Sequence, residues 1–308
     1  MHQSIKNNIF SSSKHFEIYK KINPILFDVS LRDGIQNANP ADVDSIYKME
    51  IFDSLISSYN PANIEIGSLV SSIYLPIMND SLIIHKYAVD YLSINNENFK
   101  NNKIYMLVPT LSKLQIALDN GVTNFSMITS VSDEFQKKNT NRTINEMKNE
   151  LKAMTEILDC HNDSKNFTKK LYISCINYCP ISRRINDEFI VNELCDYHYN
   201  FLFDELCISD TTGELTFDKY KCIIDSCITR GIPSSKLSLH LHVSIENYDN
   251  VYHIIFYSLS KNINKFDVSM LDSGGCSVSI NDRSMLKSNL NYDLFYYILG
   301  QYIDKLIE

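Results

Sequence analysis

The chain has 308 residues, 44% of them hydrophobic and 21% charged, with a formal net charge of -8. That length supports one large domain or two small ones, and an acidic balance without a basic stripe argues against nucleic acid or an anionic membrane as partner. No apolar run approaches the roughly 20 residues of a membrane span, and eight cysteines in no dense framework read as reduced thiols.

Residues 1–22 are polar and poorly periodic. They lack Arg and carry Glu17, which disfavours an import leader. They read as a short extension on a domain that spans 23–308. The first predicted strand runs from Ile25 to Leu31 and breaks into Arg32-Asp33-Gly34. Asn39-Pro40 then offers a helix N-cap with proline at the first helical position. The helix that follows carries Val43, Ile46, Met49, Phe52 and Ile56 on one face. Strand 2 is Asn63–Gly67 and strand 3 is Lys103–Val108. The next helix presents Leu111, Leu114, Ala117 and Leu118 and closes at Asn120-Gly121. Strand 4 is Asn124–Ile128, followed by a polar loop over Ser132–Asn139 and a helix from about Thr143 to Leu158.

The second half keeps the rhythm. Strand 5 is Lys170–Ile176, with a helix near Asp187–Tyr199. Strand 6 is Asp204–Ile208, and its helix shows Tyr220, Ile223, Ile224, Cys227 and Ile228 before Gly231. Strand 7 is Lys236–His242, with a helix around Asn247–Leu259. Strand 8 is Lys265–Leu271, and the last helix covers about Tyr292–Leu306. Alternating strand-helix units imply a parallel sheet, and eight of them at this length imply an α/β fold of the closed (β/α)8, or TIM, barrel type. A doubly wound open sheet is the runner-up, but no Gly-x-Gly-x-x-Gly follows strand 1.

In such a barrel the site lies at the C-terminal ends of the strands. There the chain places Arg32, Asp33 and Gln36 after strand 1, Glu65 on strand 2, Asp210 after strand 6, His240 and His242 on strand 7, and Gly274-Gly275-Cys276 after strand 8. Residues i and i+2 of a strand share a face, so both imidazoles reach one point. Strand 8 alone separates them from the carboxylate of strand 1. The bland reading is a pair of interior histidines bonded to neighbours; the other is a metal site. Two nitrogens, a carboxylate oxygen, an amide and water suit an octahedral divalent cation such as Mg2+ or Mn2+ better than thiolate-rich zinc. Cys175 and Cys179 suggest a zinc pair, but no second pair sits at finger spacing. Glu65, flanked by isoleucines, faces the interior and needs a partner, for which Arg32 is the candidate. Asp210 serves either as a base or as a helix cap, and Cys276 either as a reactive thiol or as an inert small residue.

Phe27-Asp28-Val29-Ser30-Leu31-Arg32-Asp33-Gly34-Ile35-Gln36-Asn37 resembles the signature of the metal-dependent barrel lyases and synthases named for an Asp-Arg-Glu set. Several further blocks resemble the 3-hydroxy-3-methylglutaryl-CoA lyase family within it. They are Ile64 to Ser71 with Pro76-Ile77-Met78, Ser132 to Asn139, Ile173-Ser174-Cys175 with Cys179-Pro180, Asp210-Thr211-Thr212-Gly213, His240-Leu241-His242 and Gly274-Gly275-Cys276. The likeness covers about residues 25–300. It implies a carbon-carbon lyase acting on an acyl-CoA thioester, with a divalent metal held by Asp33, His240, His242 and an Asn after the cysteine loop. Arg32 would stabilise the thioester enolate oxygen, Asp210 would take the C3 hydroxyl proton, and Cys276 would protonate the acetyl carbanion.

The chain departs from that pattern in places. Met285 stands where the family has its Asn ligand, so Asn289 is the choice here, with Asn281 second. Val243 replaces an Asp after the second His, Thr110 replaces an Asn, Ile181-Ser182 replaces Tyr-Glu, and Ser277-Val278 replaces Pro-Tyr. These changes leave room for a different 3-hydroxyacyl group. The competing functions are a Claisen-type synthase joining an acyl-CoA to a 2-oxo acid and a non-catalytic binding barrel. The setting expected is cytoplasmic, with mitochondrial import left open, and the sequence admits a homodimer.

Overall fold

The computed structural model describes residues 12–94, 102–160, 166–275 and 286–308. Eight parallel strands close a barrel: β1 (Ile25–Asp28), β2 (Asn63–Ser68), β3 (Lys103–Leu107), β4 (Asn124–Ser130), β5 (Thr168–Ser174), β6 (Glu205–Ser209), β7 (Leu237–His240) and β8 (Lys265–Val268). Each strand pairs with its neighbours in sequence, and β8 returns to β1 with Phe27 opposite Asp267. Strand alternation sorts the residues into two faces. Outward side chains such as Ile64, Ile66, Met106, Met127, Leu171 and Phe266 pack with the helices in one continuous apolar layer. Each such side chain contributes about 1.5–3 kcal/mol. The inward set is mixed: Phe27, Tyr105, Tyr172 and Cys207 share the lumen with Glu65, Lys170 and Asp267.

The helices between the strands are α2 (Ser45–Ser58), α3 (Ser81–Ile94), α4 (Leu111–Asp119), α5 (Asp133–Thr140), α6 (Ile144–Cys160), α7 (Asp187–Asn200), α8 (Phe217–Thr229), α9 (Tyr248–Ser260) and α10 (Tyr292–Ile307), with α1 (Ser13–Ile22) ahead of β1. Side chains of Asp44, Thr110, Ser132, Asn186, Thr216 and Asn291 accept the free backbone N–H groups at helix starts. Each cap contributes about 1 kcal/mol. Among the described residues no helix is long and apolar enough to cross a membrane.

Several local expectations change. Asn39-Pro40 does not start a helix: the chain turns there and Asp44 caps α2 instead, its carboxylate oxygen accepting from the Tyr47 N–H. The polar stretch 132–139 is helix α5, not a loop; Ser132 caps it, acids open it, lysines close it and Asn141 ends it in the left-handed region. The N-terminal extension contains α1, tied to α10 by a Lys14 Nζ bond to Ile307 O at 3.1 Å and a His15–Asp304 contact of 2.9 Å. Helix α3 follows strand 2, where the reading above named none. Strands 1, 7 and 8 stop earlier than expected, because the chain leaves the sheet to build the mouth of the barrel.

Candidate active site

The site is organised by the turn after β1. Gly34 N–H donates to Val29 O at 3.0 Å, which closes a widened π turn over Ser30–Gly34, and all five residues of it are buried. Single turns of this kind are frequent at functional sites. The base of the turn is held from below. Asp28 accepts from Ser30 N at 2.8 Å, from Ser30 Oγ at 3.0 Å and from the Tyr292 hydroxyl at 2.9 Å. Burial pushes the Asp28 carboxyl up to about 7 in spite of these donors.

The turn aims Arg32 and Asp33 into the lumen. Arg32 Nε donates to Glu65 Oε2 at 2.5 Å and Nη1 to Asp33 Oδ1 at 2.6 Å. Glu65 is wholly buried and also accepts from the Ser126 and Tyr172 hydroxyls. The guanidinium lies 5.0 Å from the centre of the Tyr172 ring. Among the described residues its Nη2 has no hydrogen-bond partner, so one edge of a fixed cation stays available at the mouth. Burial would raise the Asp33 carboxyl, but Arg32 and the two histidines hold it well below the usual carboxylate range.

His240 ends β7, and the chain then leaves the barrel. His242–Val243 pairs with Ser288–Asn289 in a short antiparallel ladder, His242 opposite Asn289. Asp33 Oδ2 lies 3.4 Å from His242 Nε2 and 3.8 Å from His240 Nε2. One donor atom from each of the three residues falls within 4.8 Å of the others, and all three side chains are buried. His242 Nδ1 contacts Asp210 O at 2.7 Å, so a backbone carbonyl stands behind it where Val243 offers no carboxylate. Asn289 Nδ2 donates to Ser273 O at 3.1 Å, while its Oδ1 is buried with no partner among the described residues. A Cβ placed on Gly274 would lie 2.7 Å from Asn289 Cγ and 3.1 Å from Asp33 Oδ2, so both groups border one small space. An unsatisfied buried amide oxygen costs about 1–3 kcal/mol, and the two imidazole nitrogens with the Asp33 carboxylate are donors suited to a divalent cation. The residues present therefore fit a metal.

Gln36 Nε2 bonds Asp33 Oδ1 and Gly275 O (2.8 Å to the latter), and Asn37 Nδ2 reaches Gly274 O at 3.0 Å and Gly275 O at 2.6 Å. The β1 turn thus latches the glycine loop after β8. Cys276 and Asn281 lie outside the described residues. Asp210 is buried, and its carboxylate accepts from Glu214 N and Leu215 N, both at 3.1 Å, in the turn before α8. These bonds close the turn ahead of α8, whose cap is Thr216 and not Asp210, and burial raises the Asp210 pKa. Cys179 Sγ accepts from Ser132 Oγ at 3.0 Å and from the Ile181 and Ser182 N–H groups at 3.3 Å. Among the described residues Asp33, His240 and His242 form the metal-capable cluster, and Cys175 and Cys179 join none.

Sequence reading passed over Ser126, Lys170, Tyr172 and Asp267. All four are polar groups at inward positions of buried strands. The signal was there in the alternation: Lys170 and Tyr172 are i and i+2 on β5, and Asp267 interrupts an apolar strand.

The HMGL-like family model matches residues 23–245. The cytoplasmic 3-hydroxy-3-methylglutaryl-CoA lyase of Rattus norvegicus is 28% identical over 254 residues, which is 82% of this chain and 68% of that protein. Hydroxymethylglutaryl-CoA lyase from Pseudomonas aeruginosa has a similar structure, with a TM-score of 0.76 at 24% identity over 91% of this chain and 86% of that one. An HMG-CoA lyase from Acinetobacter baumannii, solved in complex with coenzyme A and 3-methylmalate, gives 0.72 at 19% identity over 87% and 80% of the two chains. These structures share the closed barrel.

Proposed function

The chain belongs to the HMGL-like family and is a lyase of it; from that premise we propose that it cleaves 3-hydroxy-3-methylglutaryl-CoA, or a close 3-hydroxyacyl-CoA, to acetyl-CoA and acetoacetate or the matching 3-oxo acid. The observation that carries this reading is the meeting of Asp33, His240 and His242 beside the Arg32 cation, with Asn289, whose buried oxygen is unpartnered among the described residues, opposite His242 in the ladder. Those four residues would hold Mg2+ or Mn2+, which when bound supplies a Lewis acid and a template for the substrate hydroxyl and carbonyl oxygens. The complex of the Acinetobacter baumannii relative with coenzyme A supports a thioester substrate.

Arg32 presents its open edge to the thioester oxygen, where charge develops as the C2–C3 bond breaks. Being held by Glu65 and Asp33, it needs no reorganisation to do so. The C3 hydroxyl loses its proton and becomes the ketone of the departing oxo acid. Asp210 is the proposed acceptor: its raised pKa makes it a stronger base than an ordinary carboxylate, and taking the proton requires it to slacken its bonds to Glu214 and Leu215. The electron pair of the broken bond passes to the acetyl fragment, and Cys276 returns a proton to that carbon. Gln36 keeps Asp33 and the glycine loop in place throughout.

The test is incubation of the purified protein with a panel of 3-hydroxyacyl-CoA esters and Mn2+ or Mg2+, with products identified by mass. Acetyl-CoA and a 3-oxo acid are expected from at least one ester, and excess EDTA should abolish their formation. No cleavage across the panel overturns the reading. CoA release from acetyl-CoA and a 2-oxo acid would make the protein a synthase instead.

A further inference from the structure

His242 and His240 are oriented by different means. The acceptor behind His242 is main chain, whereas behind His240 it is the side chain of Asp267, whose Oδ2 lies 3.1 Å from His240 Nδ1. Asp267 is itself gripped. Its Oδ1 accepts from Lys170 Nζ, and the Cys207 thiol approaches Oδ2 at 3.9 Å. Lys170 is 1% exposed, sits 3.5 Å from the centre of the Phe27 ring and 4.8 Å from that of Tyr172, and also pairs with Glu205 at 3.1 Å. A lysine sealed in the lumen is costly to bury, and it stands against the carboxylate within hydrogen-bond distance of His240 Nδ1, at 3.1 Å, whereas Asp33 Oδ2 lies 3.8 Å from Nε2.

We propose that Asp267, clamped by Lys170, is a positioning residue that holds His240 with its proton on Nδ1 and its Nε2 lone pair turned to Asp33. An ionised carboxylate only accepts hydrogen bonds, so beside Asp267 the neutral imidazole must carry its proton on Nδ1. Nε2 is then the atom left to donate electrons, and it is the atom 3.8 Å from Asp33 Oδ2. Lys170 does the remaining work: it fills the other oxygen of Asp267, so the carboxylate cannot rotate away from the ring. Groups of this kind behind a ligating histidine are worth about 10–100-fold in metal affinity. The inference rests on the metal reading above.

Two measurements on the intact protein test it. Long-range nitrogen-proton spectra of ion-free, 15N-histidine-labelled protein at about pH 8, where an ordinary imidazole is neutral, report the tautomer of each ring. The His240 signals are assigned by their loss in His240→Gln. Nδ1–H is expected at His240, and Nε2–H would overturn the proposal without any variant being needed. In Asp267→Asn the amide can present its own N–H to Nδ1 and drive the proton to Nε2. That variant should shift the His240 tautomer, leave the His242 pattern unchanged and weaken Mn2+ binding by about 10–100-fold. Lys170→Arg, which keeps the cation, should bind Mn2+ like the wild type. A folded Asp267→Asn with wild-type tautomer and wild-type affinity refutes the positioning role. If wild-type protein shows Nδ1–H at His240 but binds no Mn2+, the metal reading fails while the tautomer assignment stands.

Discussion

Gly274→Ala probes the space that Asn289 and Asp33 border in the site. Gly274 has φ +142 and Gly275 φ +92, both in the region that an L side chain rarely adopts. Either alanine therefore carries backbone strain of about 1–3 kcal/mol. The two differ in what the new methyl meets. At Gly275 the nearest atom is the far end of the Leu286 side chain at 3.1 Å, which can swing away. At Gly274 the methyl lands on the Asn289 carboxamide and 3.1 Å from Asp33 Oδ2. Asn289 cannot yield easily, because it is buried, bonded to Ser273 O and paired opposite His242. Overpacking adds about 1–3 kcal/mol, so Gly274→Ala should melt below Gly275→Ala by several degrees, at about 2–4 °C per kcal/mol in a large domain. The sharper readout is Mn2+ affinity by calorimetry. Displacing one donor should weaken binding by about tenfold or more in Gly274→Ala and far less in Gly275→Ala. Equal affinities in the two variants would mean that Asn289 is not a ligand, whatever their melting temperatures.

Arg32→Gln should lower turnover by about 10²-fold or more and, by stranding buried Glu65, cost about 3–5 kcal/mol of stability. The double variant Arg32→Gln/Glu65→Gln should regain much of the stability but none of the turnover; regained turnover would make Arg32 a structural cation only. Asp28 should make stability depend on pH. Its carboxyl titrates at about 7 in the folded protein and near the ordinary 3.8 when unfolded, so the folded state binds the extra proton between those values. Stability should fall as pH rises from about 4 to about 7, by at most about 4 kcal/mol, and Asp28→Asn should flatten that slope in urea titrations. An unchanged slope would assign the pH dependence elsewhere. Cys276→Ala should fold and bind Mn2+ normally yet lose about 10²-fold in turnover, the usual scale for an acid-base group; wild-type turnover would leave water or Asp210 as the proton donor.

What the sequence determined by itself was whatever is local or periodic. Eight alternating units are read from runs and spacings, and closure into a barrel follows from their number. Polar residues at strand ends stand out because a buried apolar run has no reason to finish in Arg32-Asp33 or His240-Leu241-His242. The pairing of Arg32 with Glu65 was legible for the same reason, since a carboxylate between two isoleucines on a buried strand demands a cation. Other features depend on where distant segments land. The π turn that re-aims Arg32 and Asp33 is fixed by Asp28, Ser30 and Tyr292, and Tyr292 lies 264 positions from Asp28. Nothing near Asp210 shows that its carboxylate meets the N–H groups of Glu214 and Leu215 while its carbonyl orients His242. Asn289 became a donor candidate in space only when its ladder with His242 placed it beside Gly274. Lys170 and Asp267, 97 residues apart, looked like interruptions in two apolar strands. Closing the barrel puts them in a common lumen, where neither charge can reach water and each must take the other as its partner.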